Sequence, residues 1–405
     1  MFRDGIALFS LVLTVVTIYV LTRWNIRPGS RSAIPTQAPF FYRECSNLDS
    51  DAEQQYESQK RMDMTLSLYA PHLDDRNENW PEGFLELDIP SHRGRQSIVY
   101  PLRDNPSVIV KYQADCEEIK DKRLHPLLVE FWYGKKASTF GIAPDVLFLS
   151  APVAFSKSSV KLARFLMSHE QREACETGGG TVRFAVIQRL GRSVDLDTIQ
   201  RLFPLGKVPF SIVMLIGISL IEKLRDLHMA AEIVHGDIHT GNIMVERTRD
   251  RDIRLWLVDF GRARANLPAR SKDPVDAPSM LSPWQIEGYQ WSARDDVYNA
   301  IRTLALLLNG NAYIEFERRM KQAGPRQVLH WKKNGSIWFL SDQHDPLISL
   351  PIGPYRRTAI RQSLNRTITS VRSLHDVDAI PDYENIVREF RQCIDLADTS
   401  KPVKL

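Results

Sequence analysis

In "EIVHGDIHTGNIMVE", residues 232–246, a bare carboxylate, Asp237, follows the end of a helical pattern, and Asn242 precedes the strand-like Ile243-Met244-Val245. A short strand placed directly after such a loop pins both side chains. One turn then presents a carboxylate towards a substrate and an amide oxygen towards a cation. Oxygen donors suit a hard ion such as Mg²⁺, which keeps several waters and rarely takes an all-protein cage.

Reading outward, "LWLVDFG" (255–261) has the pattern of a buried strand that ends in Asp259, followed by Phe260 and Gly261. On the N-terminal side, "FLELDIP" (84–90), "SIVYPL" (97–102) and "SVIVKY" (107–112) are short β-rich runs separated by turn residues, and Lys111 lies near the end of the third. "LLVEFWYGKKAS" (127–138) has helical spacing and carries Glu130, while "DVLFLSAPV" (145–153) and "VRFAVIQRL" (182–190) return to strand. From Phe210 onward helical periodicities dominate, with "SIVMLIGISLIEKLRDLHMAAEIV" (211–234) and "DDVYNAIRTLALLLN" (295–309) as long helices.

The expected class is therefore α+β: a small β-rich lobe with one helix, a larger α-helical lobe, and a hinge near Leu190-Gly191. Two carboxylates, a carboxamide, a lysine and a glutamate gathered around an interlobe cleft share one chemical use. Transfer of a γ-phosphoryl group needs Mg²⁺ on Asp and Asn oxygens, a cation on the α- and β-phosphates, and a base for the accepting hydroxyl.

His235-Gly236-Asp237-Ile238-His239-Thr240-Gly241-Asn242 resembles the catalytic loop of protein kinases, and Asp259-Phe260-Gly261 matches their metal-binding triplet. Within that superfamily the chain resembles the casein kinase one and vaccinia-related kinase group. "VIQRLGRSVDLD" (186–197) is similar to their hinge, "SARDDVYN" (292–299) to the start of their helix F, and "IPDYENIVREFRQCI" (380–394) to their closing helix. The resemblance covers roughly residues 84–396, with the motifs in family order.

It implies a two-lobed kinase fold, ATP and Mg²⁺ as cofactors, and a serine/threonine protein kinase activity. Asp237 would be the base and His239 a second catalytic residue. Asn242 and Asp259 would hold Mg²⁺, and Lys111 would bind the α- and β-phosphates, steadied by Glu130. Ile187 would be the gatekeeper, with the Gln188 and Leu190 backbones pairing with adenine. Asp296 would tie the catalytic loop to helix F, and His235 would belong to the core.

Three positions depart from that pattern. The phosphate-covering loop should be rich in glycine, yet Gly94 is the only one between Leu87 and Tyr100, with Arg93 and Arg95 beside it. The lysine usual two residues after the base is His239, which is shorter and mostly neutral at pH 7. Gly236 stands where an arginine normally reads an activation-loop phosphate, so activity is expected without phosphorylation at Ser271, Ser279 or Ser282.

The bulk properties add bounds. The chain has 405 residues, 43% of them hydrophobic, and a net charge of +4, too small to argue for nucleic acid. Four scattered cysteines show no metal-ligand spacing and read as buried or free thiols. The uncharged run Gly5–Thr22 would span about 27 Å as a helix, near the bilayer core thickness. The expectation is an N-terminal membrane anchor (1–23), a polar stalk (24–80), and kinase lobes over 81–190 and 191–398, with Arg23, Arg27 and Arg31 favouring a cytosolic catalytic domain. The segment 156–180 is longer than its strand connection requires.

The basic run Arg262, Arg264, Arg270, Lys272 reads either as a solvated face or as a dock for acidic or phosphorylated protein substrate. Two other functions remain open. "HGDIHTGN" also resembles the loop of small-molecule phosphotransferases of the aminoglycoside and choline kinase kind, and the glycine-poor loop suits a catalytically impaired scaffold.

Overall fold

A computed structural model describes residues 92–93, 97–101, 108–115, 126–149, 153–154, 181–188, 190, 193–247, 253–266, 282–289, 291–340, 345–376 and 379–399. They fall into two units, with 139–143 grouped with the residues beyond 192 and the rest of 92–190 forming the other.

The first unit is a six-stranded antiparallel sheet with one helix. Its order is β1 (His92–Arg93), β2 (Ser97–Pro101), β3 (Val108–Asp115), β6 (Thr181–Gln188) and β4 (Val146–Leu149), with β5 (Val153–Ala154) also on β6. β-Branched residues in "VIVKYQAD" favour the pleated strand at the sheet centre. The register sets Lys111 opposite Val99 on β2 and Ala185 on β6.

Helix α1 (Pro126–Thr139) opens on a proline, whose fixed φ and missing N–H suit a first helical turn. Its Leu127 and Leu128 pack with Val146, Leu149, Ala185 and Ile187 into one apolar cluster, flanked by Ile109, Phe131 and Trp132. Burial of each large aliphatic side chain stabilises the unit by roughly 1.5–3 kcal/mol. The Lys135–Asp145 ion pair at 2.7 Å holds the end of the helix against the strand that follows.

The second unit is mostly helical. A small sheet runs β10 (Ile253–Leu257), β9 (Ile243–Arg247), β7 (Val194–Asp195), and β8 (Ile233–Val234) pairs with β11 (Arg264–Ala265). Around them lie α2 (Leu196–Arg201), α3 (Phe210–Arg225), α4 (Pro283–Ile286), α5 (Ala293–Asn309), α6 (Asn311–Ala323), α7 (Pro325–Asn334), α8 (Pro354–Arg372) and α9 (Tyr383–Ala397). α3 packs against α5, α9 and β10, and every residue of α5 but Leu306 is buried. A helix buried on all sides is the axle of a helical layer, which makes α5 a rigid support. Cys393, on α9, is buried, and that burial pushes its thiol up to about 12.

Three expectations are corrected. The helix expected over 211–234 ends at Arg225, continues as one wider turn over Asp226–Ala230, and gives way to strand β8. Glu232 has φ 54, outside any helix, and Ile233-Val234 is drawn into pairing with Ala265 and Arg264. An apolar run bordering a helix carries no periodicity that separates the two states.

The single-pass membrane anchor and the membrane localisation are also corrected. No helix among the described residues is long and apolar enough to cross a membrane. The longest of them, α8, carries five arginines in "PYRRTAIRQSLNRTITSVR". The segment assigned to the anchor, 5–22, lies outside the described residues, as do the stalk, "FLELDIP", Gly94 and the 156–180 segment. Ser282 is not an accessible hydroxyl in this fold. It is fully buried, caps α4 and hydrogen-bonds Asp295.

Candidate active site

The loop between β8 and β9 is held from three directions within the helical unit. Its backbone is fastened by Asp296, whose Oδ2 accepts from the His235 N–H at 2.7 Å and whose Oδ1 accepts from the Gly236 N–H at 2.9 Å. Asp296 lies in the first turn of α5, so the rigid central helix sets the loop's position. The expected tie between loop and helix is present.

Inside the loop, the Asn242 carboxamide donates to the Asp237 carbonyl at 2.9 Å, closing the turn on itself. From the third side, the Val258 N–H donates to the Asn242 carbonyl at 3.0 Å, and the His235 ring donates through Nε2 to the Val258 carbonyl at 3.1 Å. Val258 precedes Asp259, so these bonds tie the loop to the segment that carries Asp259-Phe260-Gly261. His235 is fully buried and packs on Phe260 at 4.7 Å between ring centroids. Desolvation holds its imidazole below the usual histidine range, as a neutral ring that accepts from the Asp237 N–H at Nδ1 and donates from Nε2. It is a core residue of the loop.

Asp237 has a basic group near each carboxylate oxygen: His239 Nε2 lies 3.9 Å from Oδ2 and the Arg262 guanidinium 3.9 Å from Oδ1. His239 Nδ1 accepts the Gly241 N–H at 3.1 Å, which leaves Nε2 as the ring nitrogen that faces Asp237. Gly236 has φ +76, and a Cβ there would stand 2.2 Å from the Trp291 ring and 2.8 Å from the Arg262 carbonyl. No side chain fits. The Trp291 face carries the Arg262 guanidinium, 5.7 Å from the ring centroid.

The metal assignment can be tested on the donors themselves. The Asn242 amide nitrogen is used by the Asp237 carbonyl, which leaves the carboxamide oxygen as the atom for a cation. Asp259 adds a carboxylate at φ 65, ψ 68. Among the described residues no cluster of three His, Cys, Asp or Glu side chains could hold a metal. Two oxygen donors fit Mg²⁺ bound jointly with waters and substrate phosphates.

The β-rich unit holds the remaining predicted residues. Lys111 Nζ and Glu130 Oε2 are 2.7 Å apart, with both side chains buried. Removing one partner of such a pair typically costs about 3–5 kcal/mol. Ile187 is buried in the cluster beneath α1, and Leu190 is half-buried. The Gln188 N–H donates to the Asp145 carbonyl at 2.8 Å, which leaves its own carbonyl as the backbone group for adenine.

Sequence reasoning missed two groups. His228 Nε2 bonds Asp296 Oδ2 at 3.0 Å and its Nδ1 meets the Tyr383 hydroxyl at 2.6 Å, linking α9 to the loop through α5. The Trp291–Arg262 stack was also missed. The signal for it was Gly236 itself, since a glycine in place of a long side chain implies that something else fills the space. Of the basic run, Arg262 and Arg264 lie among the described residues; Arg270 and Lys272 do not.

Residues 174–286 match the model of the lipopolysaccharide kinase (Kdo/WaaP) family, a span that contains Asp237, His239, Asn242 and Asp259. A probable serine/threonine-protein kinase of fowlpox virus (strain NVSL) is 38% identical over 81 residues, 20% of this chain and 24% of that relative, so the match spans about a quarter of the relative's length. The solved structure of vaccinia related kinase 3 aligns with 75% of this chain and 85% of its own at 16% identity and a TM-score of 0.48. Both sequence matches are to kinases, and they support a protein kinase-like superfamily for this chain.

Proposed function

We propose that the protein transfers the γ-phosphoryl group of ATP to serine or threonine hydroxyls of a protein substrate. The observation that carries this reading is the fastening of the loop: the Asp296 carboxylate accepts the His235 and Gly236 N–H groups, the Asn242 amide donates to the Asp237 carbonyl, and the Val258 N–H donates to the Asn242 carbonyl, which supports a preorganised site. Asp237 accepts the proton of the attacking hydroxyl and orients it. Asn242 and Asp259 hold Mg²⁺, which when bound neutralises charge on the phosphate oxygens. Lys111, fixed by Glu130, binds the α- and β-phosphates. His239 offers its Nε2 as a donor beside the base.

A second reading keeps the same machinery and changes the acceptor to a sugar hydroxyl. It is favoured by the family match over 174–286, whose description names lipopolysaccharide. The test is an acceptor panel with the full chain, labelled ATP and Mg²⁺: casein against an acidic lipopolysaccharide core. Label on casein serine or threonine supports the first reading, and label on the sugar alone replaces it with the second. Label on neither, with no ATP binding, would promote the catalytically impaired scaffold.

A further inference from the structure

The loop lacks a cation where its chemistry needs one. Negative charge spreads over the transferring oxygens during phosphoryl transfer, and stabilisation there is mainly electrostatic. His239, unlike a lysine or arginine, is not a permanent cation; its Nδ1 accepts the Gly241 N–H, and its Nε2 lies 3.9 Å from Asp237 Oδ2. The basic groups within 4.0 Å of Asp237 among the described residues are His239 and Arg262. Arg262 is half-exposed and lies on the Trp291 ring, which itself fills the space left by Gly236. An aromatic face holds a guanidinium in place without using its N–H groups. The glycine, the tryptophan and the arginine thus form one shelf that carries a cation to the side of the base.

Resting on the phosphoryl-transfer reading above, we infer that Arg262 is a catalytic residue that contacts the transferring phosphoryl group and replaces the loop cation that His239 does not provide. In the step, the acceptor oxygen bonds to the γ-phosphorus while the bond from phosphorus to the β,γ-bridging oxygen breaks. ADP leaves with that electron pair, and the hydroxyl proton passes to Asp237. The guanidinium sits beside Asp237 Oδ1 and stabilises the equatorial oxygens as charge spreads over them. Its planar fork can do this where lysine's point charge does so less well.

The test compares Arg262→Ala, Arg262→Lys and, as a control, Arg254→Ala, which removes a guanidinium stacked on Trp256 in the same unit. Arg262→Ala is expected to lower kcat about 10²-fold with little change in KM for ATP. Arg262→Lys recovers part of the loss, added guanidinium ion restores part of the Ala variant's rate, and Arg254→Ala matches wild type. A second readout needs no turnover: tetrafluoroaluminate should tighten ADP binding in wild type and fail to do so in Arg262→Ala. An active wild type whose Ala variant keeps its kcat, or keeps the tetrafluoroaluminate effect, overturns this role and leaves the proposed function standing. A wild type inactive on every acceptor removes both.

Discussion

The amide of Val258 donates to the carbonyl of Asn242 at 3.0 Å, so the residue preceding Asp259 is clamped to the other proposed metal ligand. That backbone bond ties the segment that carries Asp259 to the loop that carries Asn242. In the proposed phosphoryl-transfer reading, such preorganisation is what the site requires.

Asp259 occupies the left-handed region, with φ 65. Asparagine tolerates that conformation, whereas alanine would cost about 1–2 kcal/mol in strain. Asp259→Asn should therefore melt close to wild type yet lose the Mg²⁺-dependent part of the ATP-induced rise in Tm. Asp259→Ala should lose both. A full Mg²⁺-dependent shift in the Asn variant would remove Asp259 from the metal site.

Gly236 admits no side chain. Gly236→Ala combines left-handed strain with a clash against Trp291 and should destabilise by about 2 kcal/mol or more, read as a lower denaturation midpoint. Trp291→Ala in that background relieves the clash with the ring and leaves the strain and the close approach to the Arg262 carbonyl. The arginine that would read a phosphorylated activation loop is excluded from this position, so phosphatase-treated protein should keep its kcat. A tenfold drop after phosphatase would show that regulation reaches the loop by another route.

The Asp296 carboxylate serves two backbone amides and His228 together. Asp296→Asn turns an NH₂ towards one of those donors and should cost about 2 kcal/mol, with kcat falling much further than ATP affinity. Tyr383→Phe removes only the far end of the His228 link and should cost about 1 kcal/mol. Equal losses of kcat and ATP affinity in Asp296→Asn would mean that the residue supports the whole unit rather than the loop.

Burial keeps His235 neutral, with its folded-state pKa depressed below the value of 6.5 that applies when the chain unfolds. As pH falls below 6.5 the unfolded state takes up the proton first, so stability decreases, by at most about 1.4 kcal/mol per pH unit for one group. Denaturation midpoints followed from pH 7 to pH 5 should fall in wild type and fall less steeply in His235→Asn. Parallel slopes would show that His235 is not the group responsible.

Much of this was legible in the chain. The described β-rich runs and the helix carrying Glu130 follow from pattern and order, because strands and helices write their periodicity into local sequence, whereas the Lys111–Glu130 pair followed from the family resemblance. The end of α3 was not legible: "AAEIV" is apolar in helix and strand alike, and the pairing partner of Ile233-Val234 lies beyond Asp259. Arg294 hides another long-range fact. It is fully buried and donates to the carbonyls of Leu374, His375 and Asp376, a cap on the segment after α8 that no spacing announces. Asp295, which reads as an ordinary first-turn carboxylate, is buried between Ser282 and Ser292, and that burial raises its pKa.

The most direct test is label transfer from ATP in the presence of Mg²⁺, with wild type and Asp237→Asn purified side by side and their ATP binding measured in parallel. The account predicts that both bind ATP and that transfer falls about 10²–10⁴-fold in the variant. Transfer that survives the substitution undiminished, or wild-type protein that binds ATP and phosphorylates no hydroxyl acceptor, would contradict it.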